Sequence, residues 1–332
     1  LHRVNVLTSA DLVERIAAAE QAGLISPASM ADFPLGSPLS VAFRLVTPRR
    51  GTLPPSLNVS RRYASGAGLS IDAAKMLSGL EAIERYSIQF SSELPDQIDS
   101  VWSSDRSCRR VEVDALALGS PRVTKEVQSI GAAAGRSIED ASSRAVMELA
   151  EYTLRSRSKL ELKRISDKIV DESSIVGRIR EWLGMQARCI EFAVCTDLPK
   201  GCFVRCSCHD ESFYRPTFGT AFSLDISEAI QKSCFEAVTS WRNMVSLEFN
   251  GINLSDVSEE EERVLRTYRE KISPLSSITE TISELPGRKE KTREVLSYVA
   301  SCLTDFTGKS VHVFDMSAPE IGLPVVKAIQ LE

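Results

Sequence analysis

The sequence predicts an α+β fold in which three related glycine-led strand–helix units recur. Three observations carry this. Three segments share one layout: a glycine, a polar cap, then a helix with glutamate at a fixed offset. Residues 39–46 and 202–208 alternate in the manner of strands. Residues 9–23 place Leu12, Ile16 and Ala19 at helical spacing, with Gly23 as a stop.

The elements follow in order. Residues 1–34 form an N-terminal helical segment, and residues 35–332 one large domain. In the strand at 39–46, Val41, Phe43 and Leu45 alternate, before a loop rich in Pro, Arg and Gly. The first unit is Gly66-Ala-Gly-Leu-Ser-Ile-Asp-Ala-Ala74, continuing to Tyr86. The second is Gly131-Ala-Ala-Ala-Gly-Arg-Ser137, continuing to Tyr152. The third is Gly219-Thr-Ala-Phe-Ser-Leu-Asp225, continuing to Trp241. Residues 255–307 read as a charged helical insertion. Its runs 259–263 and 288–293 are solvated helix faces. Residues 311–314 and 323–328 read as two short buried strands.

Composition narrows the function. A net charge of -5 argues against a general nucleic-acid or anionic-membrane binder. No apolar run approaches the roughly 18 residues that a membrane span needs. The first residues lack a signal-peptide pattern, which places the protein in the cytoplasm. Its eight cysteines are then buried thiols. Cys202, Cys206, Cys208 and His209 invite a zinc reading, but no CxxC pair accompanies them. The simpler reading is a strand with Cys202, Val204, Cys206 and Cys208 on one apolar face.

Aligned on the cap, the units hold Ser70, Ser137 and Asp225, all good N-caps. Four residues on stand Ala74, Ala141 and Ala229; eleven on, Glu81, Glu148 and Glu236; fourteen on, Glu84, Glu151 and Thr239. At about 100° per residue the alanines and glutamates share one sector, with apolar positions beside it. Small alanine on the acidic face leaves room for something to approach. A Glu-x-x-Glu-Arg helix is often just a solvated face with an ion pair. Carboxylates gathered from three helices instead repel and need a cation, for which Mg²⁺ with phosphates is the common solution. From the repeat alone the two readings stand level.

Ser-Gly-Ala-Gly-Leu-Ser at 65–70 with Leu-Glu-Ala-Ile-Glu-Arg-Tyr-Ser at 80–87 resembles the first signature of the YcaO-domain family. These are ATP-dependent enzymes that activate peptide backbones in ribosomal peptide natural product biosynthesis. Residues 129–135 with Glu148-Leu-Ala-Glu151 resemble the second signature, and Gly219 with residues 229–236 the third. Residues 315–327 resemble the closing strand region. The resemblance implies a YcaO fold whose three units surround a nucleotide cleft, with ATP and Mg²⁺ as cofactors. Carried over, Glu81, Glu84, Glu148, Glu151 and Glu236 would hold Mg²⁺. Ser78, Glu81, Arg85, Arg136, Asp140, Lys232, Glu236 and Arg242 would meet the nucleotide. The family usually has arginine where Tyr152 stands, often serine at Leu77, and glutamine at Thr239, with Arg242 slightly displaced. These departures imply a weakened site or one completed by a partner.

The resemblance also implies a chemistry. A nucleophile attacks a backbone amide carbonyl, the oxyanion takes the γ-phosphoryl group of ATP, and phosphate leaves. A Cys, Ser or Thr nucleophile gives an azoline, on the way to thiazole or oxazole, and external sulfide gives a thioamide. Azoline formation is the expected activity, although the Pro-rich tail of many such members is not in this sequence. The alternatives are thioamide formation and a catalytically weak docking scaffold. The expected partners are a precursor peptide, a leader-binding, E1-like or TfuA-type protein, and a second copy in a homodimer.

Overall fold

A computed structural model describes residues 6–49, 62–120, 122–123, 127–157, 160–167, 170, 174–195, 201–250, 265–273, 275, 278, 280–282 and 295–332. Most of the Pro-, Arg- and Gly-rich loop lies outside the described residues, as do the charged runs 259–263 and 288–293. The chain divides into two compact units. The first comprises residues 1–31, 40–152 and 292–332; the second comprises 32–39 and 153–291.

The first unit opens with α1 (Ser9–Gln21). Thr8 and Asp11 close a capping box at its start, and Leu12, Ile16 and Ala19 are its buried face. Gly23 ends it in the left-handed region, at φ +70°. A three-stranded antiparallel sheet follows, made of β1 (Ser29–Met30), β2 (Ser40–Leu45) and β3 (Tyr63–Gly68), with β3 at an edge. Strand β2 lies where alternation predicted it, and Val41 is buried as expected, but the alternation does not hold beyond it. Ala42 and Arg44 are buried and Leu45 is exposed. Arg44 stays inside because Glu20 pairs with it and the Ser26 carbonyl accepts its Nη1 at 2.9 Å.

Helix α2 (Ile71–Ser87) follows β3 directly. The other sheet of this unit has the order β5-β4-β12-β13-β6, counting all strands along the chain. Its members are β4 (Gln97–Ser103), β5 (Arg110–Glu112), β6 (Ala132–Ala134), β12 (Ser310–Asp315) and β13 (Val325–Leu331). Strand β12 contains the buried strand expected at 311–314, and β13 begins two residues into the one expected at 323–328. Helix α3 (Ile138–Arg155) follows β6, its last three residues belonging to the second unit.

The second unit is a five-stranded sheet, β10-β9-β8-β7-β11. The strands are β7 (Lys163–Ile165), β8 (Arg188–Cys195), β9 (Cys202–Asp210), β10 (Thr217–Ser223) and β11 (Thr281–Ile282). Cys202, Val204, Cys206 and Cys208 of β9 point into one core with Ile190, Phe192 and Val194 of β8. That core is closed by α4 (Ser174–Met185) and α5 (Ile226–Asn250), through Ile179, Trp182, Ala229 and Val238. Burial pushes the Cys206 and Cys208 thiols up, as expected of inert core cysteines. Helix α6 (Val295–Thr307), at the end of the expected insertion, packs on β12 in the first unit. No helix among the described residues is long and apolar enough to cross a membrane.

Candidate functional site

Each glycine-led segment is a strand that runs into a helix: β3 into α2, β6 into α3, β10 into α5. The caps act where the sequence places them. Ser70 Oγ accepts the Ala73 N–H at 3.1 Å, Ser137 Oγ the Asp140 N–H at 3.2 Å, and Asp225 Oδ1 the Ser227 N–H at 2.9 Å. The glycines let strand backbone touch helix backbone. A Cβ on Gly66 would stand 2.2 Å from the Ser78 nitrogen, and one on Gly219 would stand 2.0 Å from the Ser233 oxygen. A Cβ on Gly135 would stand 2.4 Å from the Ala141 nitrogen.

This approach corrects one expectation. Ala74, Ala141 and Ala229 have no exposed surface. The room beside Ala74 and Ala141 is filled by the preceding strand, and Ala229 lies in the second core. Small residues there admit the protein's own backbone, not a ligand.

The glutamates eleven residues past the caps divide two to one. Glu81 Oε2 accepts the Ser65 N–H of β3 at 3.1 Å, while Arg85 Nη2 pairs with its other oxygen at 2.8 Å. Glu236 Oε2 accepts the Thr220 N–H of β10 at 2.7 Å. In the middle unit the Ala132 N–H, at the corresponding place, bonds the Ser129 carbonyl at 2.9 Å. Glu148 instead interacts with Lys327 of β13.

The first unit gathers Glu81, Glu84, Glu148 and Glu151 within electrostatic reach of one another. Glu84 and Glu148 are partly buried and keep partial access to solvent. Burial, then the Glu148 and Glu81 charges, hold the Glu84 carboxyl well above the usual carboxylate range. Burial raises Glu148 to about 8; Lys327 opposes the shift, and Glu151 and Glu81 add to it. Lys327, 2% exposed, is itself lowered to about 8 by burial, against the pull of Glu148 and Glu84. Its ammonium also donates to the Gln128 carbonyl. This is an acidic cluster in which negative charge is under-compensated, and its hard oxygen donors fit a hard cation. Among the described residues, no three acidic, Cys or His side chains are arranged to hold a metal ion by themselves.

The other predicted residues stand as follows. Ser78 has no exposed surface; its hydroxyl donates to the Lys75 carbonyl at 3.0 Å and accepts from Arg44 Nε at 3.3 Å. Arg136 and Asp140 tie the start of α3. The Arg136 N–H reaches Asp140 Oδ2 at 2.9 Å, and its Nη2 reaches Ser9 Oγ at 3.3 Å. In the second unit Lys232 is exposed and pairs with Glu228 at 2.7 Å. Arg242 holds the Asp32 carbonyl through Nε at 3.2 Å and lies over Phe33. Thr239 Oγ1 is buried without a hydrogen-bond partner among the described residues.

Sequence reasoning missed Lys327, although it ends the segment matched to the closing strand region. The signal was present: one lysine inside Val325-Val-Lys-Ala-Ile329, in a strand otherwise apolar. A cation buried there demands an anion.

The profile of the family described as "YcaO cyclodehydratase, ATP- and Mg2+-binding" matches residues 113–330. No curated protein sequence gives a significant match. Among solved structures, a heterocyclase in complex with substrate and cofactor aligns at TM-score 0.74 and 16% identity, over 99% of this chain and 53% of that one. The chain thus spans about half the length of that heterocyclase. The YcaO protein from Methanopyrus kandleri, bound with AMPPCP and Mg²⁺, aligns at TM-score 0.68 and 14% identity, over 98% and 94% of the two chains. The E. coli microcin synthetase McbBCD complex with pro-MccB17 bound aligns at 0.65 and 14%, over 91% and 87%. At such identities these likenesses establish the fold. Because the profile covers most of the chain and the fold agrees with it, the chain belongs to the YcaO family, whose cofactors are ATP and Mg²⁺.

Proposed function

We propose that this chain is the ATP-dependent cyclodehydratase component that forms azoline rings at Cys, Ser or Thr of a ribosomally made precursor peptide. The observation that carries the reading is the acidic cluster of the first unit, where Glu84 and Glu148 are both held above the usual carboxylate range. Without a cation such a cluster is costly. ATP supplies the phosphoryl group that makes an amide oxygen a leaving group, with Mg²⁺ neutralising the phosphates. Mg²⁺ is ordinarily held by one or two carboxylates, completed by phosphate oxygens and waters.

Glu84 and Glu148 are the proposed direct ligands, with Glu81 and Glu151 supplying further negative charge. Glu81 is already oriented by the Ser65 N–H and Arg85, so it is presented without further ordering. Lys327 would offset part of the charge of Glu84 and Glu148 in the absence of the cation. Glu236 and Lys232 are proposed to act in ATP use. A leader-binding protein is proposed as partner.

The test is the product's mass after incubation with ATP, Mg²⁺, a Cys-containing precursor and its leader-binding protein. Loss of one water per modified residue supports the proposal. Exchange of oxygen for sulfur in the presence of sulfide assigns thioamide formation instead. An unchanged peptide under both conditions assigns a docking role.

A further inference from the structure

The sheet of the second unit has a second face. Cys202, Val204, Cys206 and Cys208 point into the core, so Phe203, Arg205 and Ser207 point the other way. Register sets Thr220 opposite Arg205 and Phe222 opposite Phe203. On this face lies a cavity of about 400 Å³, lined by Arg155, Arg157, Leu160, Leu162, Phe203, Arg205, Phe218 and Thr220. Among the described residues, Arg155, Arg157 and Arg205 line it and no carboxylate does.

Arg205 is the informative member. Its guanidinium lies 4.4 Å over the Phe218 ring. Burial lowers its pKa, and no carboxylate among the described residues offsets the shift. Glu191, on the same face by register, is taken by the Leu275 N–H at 2.8 Å and by His209. A half-buried arginine over a ring, with no carboxylate partner among the described residues, is a positive charge prepared for an anion.

We infer that this cavity binds an acidic–apolar stretch of the peptide substrate, carboxylates on Arg155, Arg157 and Arg205, an apolar side chain against Leu160, Leu162 and Phe203. The inference rests on the proposal that the substrate is a peptide. A nucleotide fits less well. Among the described residues the lining offers no carboxylate to share a magnesium ion, and one face of Phe218 is already covered by Arg205. Leu160, Leu162 and Phe203 reward an apolar group beside the charge, which inorganic phosphate lacks.

The test is direct binding without nucleotide. A fluorescein-labelled ten-residue peptide of alternating Glu and Leu is titrated with the full chain and read by anisotropy. A Gln/Leu peptide is the control. The Glu/Leu peptide is expected to bind, weakening with added KCl, and the Gln/Leu peptide at least about tenfold less. R205Q and the exposed-site variant R157Q should each weaken binding, R205Q by about tenfold, with unchanged melting temperature. Equal binding of both peptides overturns the inference, as does R205Q or R157Q binding like wild type. Displacement of the peptide by millimolar phosphate or magnesium-free ATP at equal potency reassigns the cavity to phosphate and also overturns it. Because no turnover is read, failure here is distinct from failure of the cyclodehydratase proposal.

Discussion

Glu81 accepts the backbone N–H of Ser65, sixteen residues earlier, at 3.1 Å. Glu236 and Thr220 repeat the bond with the same separation, at 2.7 Å. In both cases the donor lies on a strand at the edge of its sheet, where an outward N–H lacks a ladder partner. The glutamate supplies that partner from the helix that follows. The acidic repeat therefore has a structural duty in two of its three copies. The middle copy is released from it, because Ala132 spends its N–H on Ser129.

That difference separates Glu148→Gln from Glu81→Gln. The folded-state pKa of Glu148 is about 8, raised from an ordinary 4.5. Between those values the native state keeps a proton that the unfolded chain has released. Stability from this group is therefore greatest at low pH and falls as pH rises toward about 8. Glu148→Gln removes the slope. Its stability should exceed wild type by a margin that widens from about pH 5 to pH 8, on the order of 1–2 kcal/mol after allowing for solvent access. Glu81→Gln should show no such gain, since its charge is already used by Ser65 and Arg85. Both should lose the stabilisation that millimolar Mg²⁺-ATP gives the wild type. Thermal scans across pH, with and without nucleotide, read both effects.

Lys327→Met tests the other side of the cluster. Near pH 5.5 the raised Glu84 and Glu148 carboxyls hold protons, and replacing a buried ammonium by an apolar chain of similar length should be close to neutral. Near pH 8 the same change leaves ionising carboxyls without their cation and should cost about 3 kcal/mol. Urea melts at the two pH values measure this, and equal losses at both would remove Lys327 from the electrostatics of the cluster.

What could be read in advance was what is local. The caps at Ser70, Ser137 and Asp225 depend on a few neighbouring residues, and the Cys202 strand on a period of two. Lys327 escaped because its partners lie far away in sequence, brought near only when β13 pairs with β6. The alanines were misread for the same reason. Helix geometry gave their sector, but not that a glycine strand would occupy it. On β2 the alternation ignored Arg44, whose burial depends on Glu20 of α1. The contact of Arg44 with Ser78 was likewise not readable, because thirty-four residues separate them.

The strand–helix approach makes its own prediction. Gly66→Ala and Gly219→Ala drive a methyl into helix backbone that has no rotamer with which to yield. Each should cost about 3 kcal/mol. Gly184, in α4, is the control, because a Cβ there meets nothing within 4 Å. Gly184→Ala should instead stabilise by about 0.5 kcal/mol through helix propensity and a less mobile unfolded chain. Chemical denaturation of the three variants decides it, and a tolerated Gly219→Ala would mean that β10 and α5 can part.

Lys232→Ala tests a residue whose visible structure is modest. Its ammonium pairs with Glu228 at 2.7 Å in an i,i+4 arrangement, and both side chains are more than half exposed. Such a pair contributes little, so the variant's melting temperature should stay within about 0.5 kcal/mol of wild type. A role in ATP use therefore has to show in kinetics. If the lysine leaves Glu228 for a phosphate, Lys232→Ala raises the KM for ATP at constant kcat, and Glu228→Gln, which frees the lysine, lowers it. If the contact forms only as charge moves in the transition state, kcat falls and KM stays. The two variants measured together, with peptide and partner at saturation, separate these cases. Wild-type kinetics in both would leave Lys232 as a surface ion pair with Glu228 and take it out of ATP use.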